Sequence, residues 1–345
     1  MDSGAGVRAT PTRQAAKRVR ARGMGMKQGH EVVSVCPEDR LVFGLHLPIA
    51  AQSRAFAQGW EPDCGAVEMR RIAEAAESAG LFYLGVSDHI AIPRPLAPAM
   101  STVWYDAVAT LGFLAAATSR IRLLSYVAVL PYRHPLASAK SYSTLDALSG
   151  GRLILGVGAG HAEAEFAALG VPFAERGARL DEAIDAVRAA FRDEWPRHEG
   201  RFYSFHDLGV APRPVQQPGP PIWVGGSTPA ALRRAAERGD GWLPQGVPEM
   251  GMAAAIELIR ERRQRTRGGA PIEIGMNAPW MYVGTPGFDL PEGTLSGPPE
   301  RLAEPLRAAQ ALGVNHVGVR FRSRSPDELI DQIHAFGQDV APLVA

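Results

Sequence analysis

The stretch RLILGVGAGHAEAEF, residues 152–166, joins a short apolar segment to a glycine-rich turn and a group of polar side chains. The apolar segment is short and bounded by glycine, which favours a β-strand covered on both faces over a helix. Glycines at 156, 158 and 160 have no Cβ, so a planar or phosphorylated ligand can approach the backbone closely. They do not complete a G-x-G-x-x-G pattern, and no acidic residue follows at the ribose distance, which argues against a Rossmann site. A strand that ends in glycines, a histidine and two glutamates predicts one part of a larger active site.

The charge of the chain is uneven along its length. Residues 1–30 hold seven Lys or Arg and one Asp, about +6, so the remainder contributes about −5 to the net charge of +1. The basic segment lacks the apolar core of a secretory peptide and has a single serine, which favours a disordered tail or an over-long start over a targeting signal. We therefore predict a disordered basic tail over residues 1–37, with residues 1–35 packing against nothing, and one domain over residues 38–345. A mildly acidic body argues against nucleic-acid binding.

Composition restricts the class of protein further. The chain has 345 residues, of which 46% are hydrophobic, enough for a large core in one α/β domain. No run approaches about 18 consecutive apolar residues, so we expect no membrane span. Cys36 and Cys64 lie outside any C-x-x-C pattern, which favours a reduced, cytoplasmic protein, and the sequence indicates no metal site.

Apolar strands alternate with amphipathic helices from residue 41 onward. The predicted strands are residues 41–48, 81–86, 121–130, 152–157, 221–224, 241–243, 272–282 and 315–321. The predicted helices are residues 67–79, 106–118, 136–148, 175–193, 229–238, 250–265, 298–312 and 326–343. Eight strands each followed by a helix predict an α/β protein with a (β/α)8 TIM barrel, and a doubly wound open sheet is the alternative. The Pro-rich and aromatic residues 195–221 predict an insertion after the fourth strand and helix, over one end of the fold.

In such a barrel the active site lies at the C-terminal ends of the strands, and polar motifs do follow those ends. Asp88 and His89 follow the second strand, although an Asp-His pair there is also a common turn cap. His161, with two glutamates including Glu165, follows the fourth strand, where it is either functional or the start of a helix. Gln245 follows the sixth strand.

Gly225, Gly226, Ser227 and Thr228 follow the fifth strand and precede a helix that begins with proline. Unpaired N–H groups at a helix start, hydroxyl side chains and proline at the first helical position together favour an anion site. Helix capping without a ligand is the alternative interpretation.

The combined motifs resemble the bacterial luciferase-like superfamily. They are SDH at 87–89, LPYRHP at 130–135, LDALSGGRL at 145–153, the glycines of 156–160, PIWVGG at 221–226 and GDGW at 239–242. The resemblance extends from about residue 41 to the C-terminus and implies the TIM barrel of the luciferase-like type. Within the superfamily, GAGH at 158–161 with Glu165 and Phe166 is most similar to members that use the deazaflavin coenzyme F420.

The resemblance also implies roles for individual residues. Asp88 would hydrogen-bond the deazaflavin ring, and His89 would exchange a proton beside the carbon that takes or gives hydride. His161 and Glu165 would be further catalytic residues that contact substrate. The cofactor would be bound by residues that follow strands three, four and five: Ser125, Tyr126, Val127, Ala159, Gly160, Gly225, Gly226, Ser227 and Thr228. A non-prolyl cis peptide is expected at Tyr126–Val127.

The chain departs from the family pattern in three places. Strand three usually has Gly-Thr-Gly-Val where this chain has Leu124-Ser125-Tyr126-Val127, so Tyr126 either alters the cofactor pocket or points into the barrel core. The sugar-phosphate dehydrogenases of the family have a glutamate base in place of His161 and a phosphate-binding lysine near Pro248. Both are missing here, which argues against a sugar-phosphate substrate.

The function expected from these residues is an oxidoreductase that transfers hydride between F420 and a small organic substrate. The alternative is an FMN-dependent monooxygenase that uses reduced flavin and O2, with a reductase as partner. A third hypothesis is a non-enzymatic barrel with a binding or structural role. It would leave Asp88, His89 and the glycine loops without a function. The sequence indicates no membrane partner, and it leaves a homodimer open.

Overall fold

The structure is a computed structural model that describes residues 34–344. Its centre is a closed barrel of eight parallel strands, in the order β1 to β8 around the barrel, with β7 pairing β6 to complete the circle. The barrel strands β1 to β8 are Val42–His46, Tyr83–Val86, Arg122–Ser125, Leu153–Gly158, Ile222–Gly225, Gly241–Leu243, Glu273–Val283 and His316–Phe321. The predicted TIM barrel is therefore confirmed, and the open sheet is wrong because the eighth pairing, between β6 and β7, closes the ring.

Each barrel strand is followed by a helix that packs on the outside of the barrel. The barrel helices α1 to α8 are Ala66–Ser78, Ala107–Ala117, Pro135–Ser149, Arg176–Arg192, Pro229–Arg238, Met252–Arg267, Pro299–Ala311 and Pro326–Ala335. Two short helices, Ala97–Met100 and Glu163–Ala168, lie in the loops after β2 and β4. None of the helices within residues 34–344 combines the length and hydropathy needed to cross a membrane.

Two predicted elements end differently in the structure. Strand three was expected to be continuous over residues 121–130, but β3 stops at Ser125 and the chain resumes pairing with β4 at Ala128–Val129. The last helix was expected to reach residue 343, but α8 ends at Ala335 and continues as a π turn and a 3-10 turn, Phe336–Val340 and Ala341–Leu343. Pro342 has no N–H to donate, which prevents a regular α-helix in this last turn.

The inside of the barrel is filled by large side chains that lie above glycines of neighbouring strands. A Cβ on Gly44 would lie 2.0 Å from the Tyr83 ring, and one on Gly241 would lie 2.4 Å from Trp223. Both rings are almost fully buried, and Trp223 stacks on His316 at 4.1 Å between centroids. The strands therefore need glycine at these positions so that the aromatic rings fill the barrel.

The N-terminal end of the barrel is closed by residues that the sequence assigned to the tail. The Glu273 carboxylate accepts hydrogen bonds from the Ser34 hydroxyl at 2.6 Å and from the amides of Val35 and Cys36, each at 3.2 Å. Cys36 is buried among the inward-facing side chains. The prediction that residues up to 35 pack against nothing is wrong for Ser34 and Val35, because a buried carboxylate needs their donors. Residues 1–33 of the predicted tail lie outside the described residues.

The predicted insertion, residues 195–221, contains a short hairpin of His198–Glu199 with Ser204–Phe205 and is bound to the barrel by buried carboxylates. Asp146, fully buried in α3, accepts hydrogen bonds from the amides of Val215 and Gln216 at 2.8 and 3.1 Å and from the Gln216 amide group at 2.7 Å. Gln216 also donates to the Leu153 carbonyl, at the start of β4. This part of the insertion thus covers the N-terminal end of the barrel, opposite the strand ends expected to hold the active site.

We expect Asp146→Ala to destabilise the protein by about 1–3 kcal/mol, because three partly buried donors lose their acceptor. Asp146→Asn keeps one acceptor oxygen and should cost less. Urea denaturation of both variants, with Asp289→Ala at an exposed loop position as the control, measures the difference. An Asp146→Ala variant as stable as the control would show that the insertion contributes nothing to the stability of the barrel.

Candidate active site

A cavity of about 650 Å³ opens at the C-terminal ends of the strands. Two loops cover it, residues 47–65 after β1 and residues 87–106 after β2, and they are joined by a backbone bridge between Ala51 and Trp104. The lining is apolar over most of its area, and its polar side chains come from β1, β7 and β8 and from the loops after β1, β2, β4 and β6. This size and lining are typical of a site for a cofactor or small molecule.

His89 lines this cavity and is held from behind by a buried carboxylate. Its Nδ1 lies 3.0 Å from Oε2 of Glu165, and its ring packs edge-on against Trp104 at 4.5 Å. Since an ionised carboxylate only accepts hydrogen bonds, Nδ1 must be the protonated nitrogen. Nε2 is then the nitrogen available to a bound molecule.

Glu165 lies beneath His89 rather than in the cavity wall. Its carboxylate accepts four hydrogen bonds, from His89, from the Tyr132 hydroxyl at 2.7 Å and from the amides of Ile90 and Ala91 at 2.6 and 3.1 Å. Burial by itself would raise the pKa of Glu165, but these hydrogen bonds outweigh it and lower the pKa to about 2. Glu165 is not among the described residues that line the cavity, and its oxygens accept from protein donors that belong to His89, Tyr132 and the loop after β2. Its contact with substrate stays a prediction.

His161 is exposed at the rim of the same cavity. Its ring lies 5.4 Å from the His89 ring, edge to face. The structure therefore brings together the three residues predicted to be catalytic, His89, His161 and Glu165, although they come from two different strand ends. Only the two histidines face the cavity.

Asp88 also lines the cavity, but its carboxylate is bonded to the protein. It accepts from Arg133 at 3.0 Å and from the Val129 amide at 3.1 Å, with its side chain almost fully buried. Both donors come from the segment where strand three resumes, more than 40 residues away along the chain, so a local turn cap does not account for these contacts. Its contact with a cofactor ring stays a prediction.

The break in strand three lies at the floor of the cavity. The peptide between Tyr126 and Val127 is cis, as the resemblance implied. Tyr126 and Val127 both line the cavity, whereas the Ser125 hydroxyl is buried and donates to the Gly156 carbonyl at 2.9 Å. Ser125 was predicted to bind the cofactor; the structure instead places its hydroxyl in the contact between β3 and β4.

The side chain of Tyr126 points into the barrel and also forms part of the cavity floor. Its hydroxyl donates to Oδ1 of Asn277 at 3.2 Å, and the same oxygen lies 3.1 Å from Nε2 of His46. Burial and the charge of Arg320 lower the pKa of His46 to about 3, so His46 is neutral near pH 7 and its Nε2–H donates to Asn277. The side chain of Tyr126 thus points into the barrel core and also forms part of the pocket, so the two interpretations drawn from the sequence do not exclude each other.

The predicted phosphate loop adjoins the cavity at a different point. The Ser227 hydroxyl accepts from the Gln245 amide at 3.0 Å and donates to the Gly246 carbonyl at 2.8 Å. Gln245 and Gly246 line the cavity, and Thr228 caps α5 by accepting from the Ala231 amide. The loop Gly225–Thr228 therefore lies at the cavity edge, behind these two residues.

Ala159 and Gly160, predicted to lie along the cofactor, follow β4 and are not among the described residues that line the cavity. A Cβ on Gly160 would lie 2.8 Å from both Val129 and Phe166, so this glycine allows close packing after β4. Their contact with a cofactor stays a prediction.

Sequence reasoning missed several residues that line the cavity: His46, Phe56, Trp104, Asn277, Trp280 and Arg320. A signal existed for three of them, because His46, Asn277 and Arg320 are polar residues inside predicted apolar strands. The irregular pairing of β7 with β8 between Asn277 and Trp280 is what lets both residues reach the cavity. Phe56 and Trp104 lie in loops whose path no local pattern predicts.

A profile of the luciferase-like monooxygenase family matches residues 43–285, and the chain belongs to this family. Its members are oxidoreductases and monooxygenases, and both F420-dependent and FMN-dependent proteins are among the relatives of this chain.

Three comparisons illustrate this range. The chain is 35% identical over 206 residues to an F420-dependent glucose-6-phosphate dehydrogenase of Kineococcus radiotolerans, over 58% of this chain and 56% of the relative. It is 30% identical over 212 residues to an FMNH2-dependent dimethylsulfone monooxygenase of Pseudomonas putida, over 61% of this chain and 56% of the relative. The solved structure of the F420-dependent tetrahydromethanopterin reductase of Methanopyrus kandleri superposes with a TM-score of 0.69 at 20% identity, over 89% of this chain and 100% of that one, which shows a shared fold.

Proposed function

We propose that the protein is an F420-dependent oxidoreductase that transfers hydride between the deazaflavin and a small organic substrate. The observation that supports this most directly is His89, a cavity-lining imidazole whose tautomer is set by a buried carboxylate. A proton partner of this kind suits hydride transfer to or from a carbon that bears oxygen or nitrogen. The similarity of residues 158–166 to F420-dependent members favours the deazaflavin.

The cavity fits a flat, largely apolar ring with a phosphorylated tail. Its volume of about 650 Å³ lies within the roughly 300–1,000 Å³ of small-molecule sites. Val127 and Tyr126 would lie below the ring, and Gly246, with φ of +79°, leaves open space beside Ser227 for the phosphate. The start of α5 would add a favourable dipole for that phosphate.

The cofactor supplies the carbon that gives or accepts hydride when it is bound. His89 then supplies or takes the accompanying proton through Nε2, while Glu165 stabilises the protonated imidazole through Nδ1. Trp104 and the loops above it exclude water from this contact.

The FMN-dependent monooxygenase remains the second candidate, because the chain is also 30% identical to an FMNH2-dependent relative. Equilibrium binding of F420 and of FMN, followed by cofactor fluorescence, distinguishes the two. We expect F420 to bind at least about tenfold more tightly, a difference of about 1.4 kcal/mol. Tighter binding of FMN, together with substrate oxygenation by FMNH2 and O2, would establish the alternative and its need for a reductase.

We expect Ser227→Asp to lower the affinity for a phosphorylated cofactor sharply, because a carboxylate would stand where the phosphate binds and would repel it. Ser227→Asn is the matched control, since it has nearly the same shape without the charge. The two variants are compared by fluorescence titration at low salt and by melting temperature. Equal cofactor affinity in both variants would place the phosphate elsewhere.

A further inference from the structure

One side of the cavity has a positive charge, that of Arg320, which forms no ion pair with a carboxylate of the described residues. Arg320, near the end of β8, lines the cavity and is partly buried. Within residues 34–344 no Asp or Glu oxygen lies within 4 Å of its guanidinium, and none of its N–H groups makes a hydrogen bond. Its close contacts are instead with two aromatic rings.

The rings hold the guanidinium in a defined place. Its central carbon lies 4.1 Å from the centroid of Phe56 and 5.9 Å from that of Trp280. Stacking on an aromatic face leaves the N–H groups at the edge of the guanidinium available to an acceptor. The Arg320 guanidinium is therefore a cation held in one orientation, with no ion-paired anion among the described residues.

The other ionisable groups of the cavity already have partners or are neutral. Asp88 is paired with Arg133, and His89 with Glu165. Glu61 accepts from the amides of Ile49 and Gln58, each at 2.8 Å. Its charge acts on Arg320, but its carboxylate forms neither an ion pair nor a hydrogen bond with the guanidinium.

His46, the titratable neighbour of Arg320 on β1, is held neutral near pH 7 by burial and by the charge of Arg320 itself. Burial and the charge of His89 lower the pKa of His161 below its ordinary value of 6.5, so this rim histidine is also neutral near pH 7. Arg320 is therefore the cationic residue of this lining that is left for a ligand.

The remaining wall is apolar, with Leu45, Leu47, Met100 and Phe321 among its residues. The loop Gly225–Thr228, at the other side of the barrel, is the site suggested for the cofactor phosphate. β8 lies only two strands from β2, so Arg320 and His89 face the same cavity from neighbouring walls. A molecule that bridges the two walls needs an acid group at one end and an apolar body.

We propose that the substrate is a carboxylic acid with an apolar aliphatic or aromatic body, whose carboxylate is bound by Arg320 between Phe56 and Trp280. The proposal rests on the proposed function in that it assigns the substrate of the same cavity. Two N–H groups of one guanidinium match the two oxygens of a carboxylate, which a lysine would not reproduce. The substrate is thus oriented with its reactive carbon toward His89.

The test uses 3-phenylpropionate and 3-phenylpropanamide, which differ in charge but little in shape, titrated calorimetrically into the cofactor-free protein. We expect the carboxylate to bind wild-type protein about tenfold or more tightly than the amide, and Arg320→Gln to abolish that preference. Arg320→Lys should retain part of it. Arg322→Gln is the matched control, since Arg322 also stacks on Trp280 but lies outside the cavity lining, and it should leave the preference unchanged.

Equal binding of the two probes, binding of neither, or a preference that survives in a folded Arg320→Gln variant overturns the proposal. A parallel titration with F420 and FMN distinguishes the substrate from the cofactor as the source of the anion. Unchanged cofactor affinity in Arg320→Gln supports the substrate role, and a matching loss of cofactor affinity overturns it. Because the probe titration needs no cofactor, a protein that binds neither F420 nor FMN contradicts the proposed function while the carboxylate comparison still stands.

Discussion

Replacing His89 by alanine is expected to lower turnover about 100-fold or more, the usual cost of losing a general acid or base. His89→Gln should be nearly as slow, because glutamine keeps a hydrogen-bonding group but transfers no proton. Cofactor affinity should change little in either variant, since His89 contributes no contact to the predicted phosphate loop. Steady-state turnover, cofactor titration and melting temperature are measured on the same preparations.

The structural alternative for His89 predicts the opposite order of activities. If the ring only fills the space between Trp104 and Glu165, glutamine should restore activity and alanine should lower stability. His206→Gln, at an exposed site in the insertion hairpin, is the control for histidine loss as such. A fully active His89→Gln variant would assign His89 to the scaffold.

Glu165→Ala is expected to reduce both stability and turnover. It leaves the Tyr132 hydroxyl, two backbone amides and His89 Nδ1 without an acceptor, which costs about 3 kcal/mol or more. It also frees the His89 ring to rotate, so turnover should fall even at temperatures where the protein is folded. Glu163→Ala, on the same short helix and exposed, is the matched control.

The pH dependence of stability provides a second measurement for Glu165. Its pKa of about 2 in the folded protein lies below its ordinary value of 4.5, so it stabilises the fold above about pH 4.5. That contribution declines as the pH falls toward 2, because the carboxyl group then binds a proton in the folded state as well. The stability difference between wild type and Glu165→Gln should therefore shrink between pH 5 and pH 2. A difference that is constant over this range would contradict the hydrogen-bonded carboxylate as its source.

Much of the architecture followed from local pattern. The order of the eight strands and eight helices was predicted correctly, because strands and helices are signalled locally. The period of the apolar residues and the prolines and glycines at element ends are each visible within a few residues of sequence. The grouping of His89, His161 and Glu165 also followed from motifs at strand ends, whereas the cis peptide at Tyr126–Val127 was implied by the family resemblance. Because active sites of such barrels lie at the C-terminal strand ends, polar motifs that follow predicted strands indicate where the site lies.

The roles of individual site residues depended on contacts between distant segments. Asp88 is bonded to Arg133, 45 residues away, and Glu165 to His89, 76 residues away. No local pattern tells whether a carboxylate faces a ligand or an amide of another loop. The sequence therefore predicted that the polar residues of these motifs lie near the site. It did not predict which of their side chains face the cavity.

By itself the sequence determined the barrel, its order of elements and the strand ends at which the polar motifs lie, since these depend on the periodicity of one chain segment at a time. Only the tertiary structure decided that Ser125 is buried against Gly156, that Glu165 supports His89, and that Arg320 stands without a carboxylate beside Phe56. The physical reason is that hydrogen-bond partners and charge balance in a closed barrel come from strands and loops that meet only after folding.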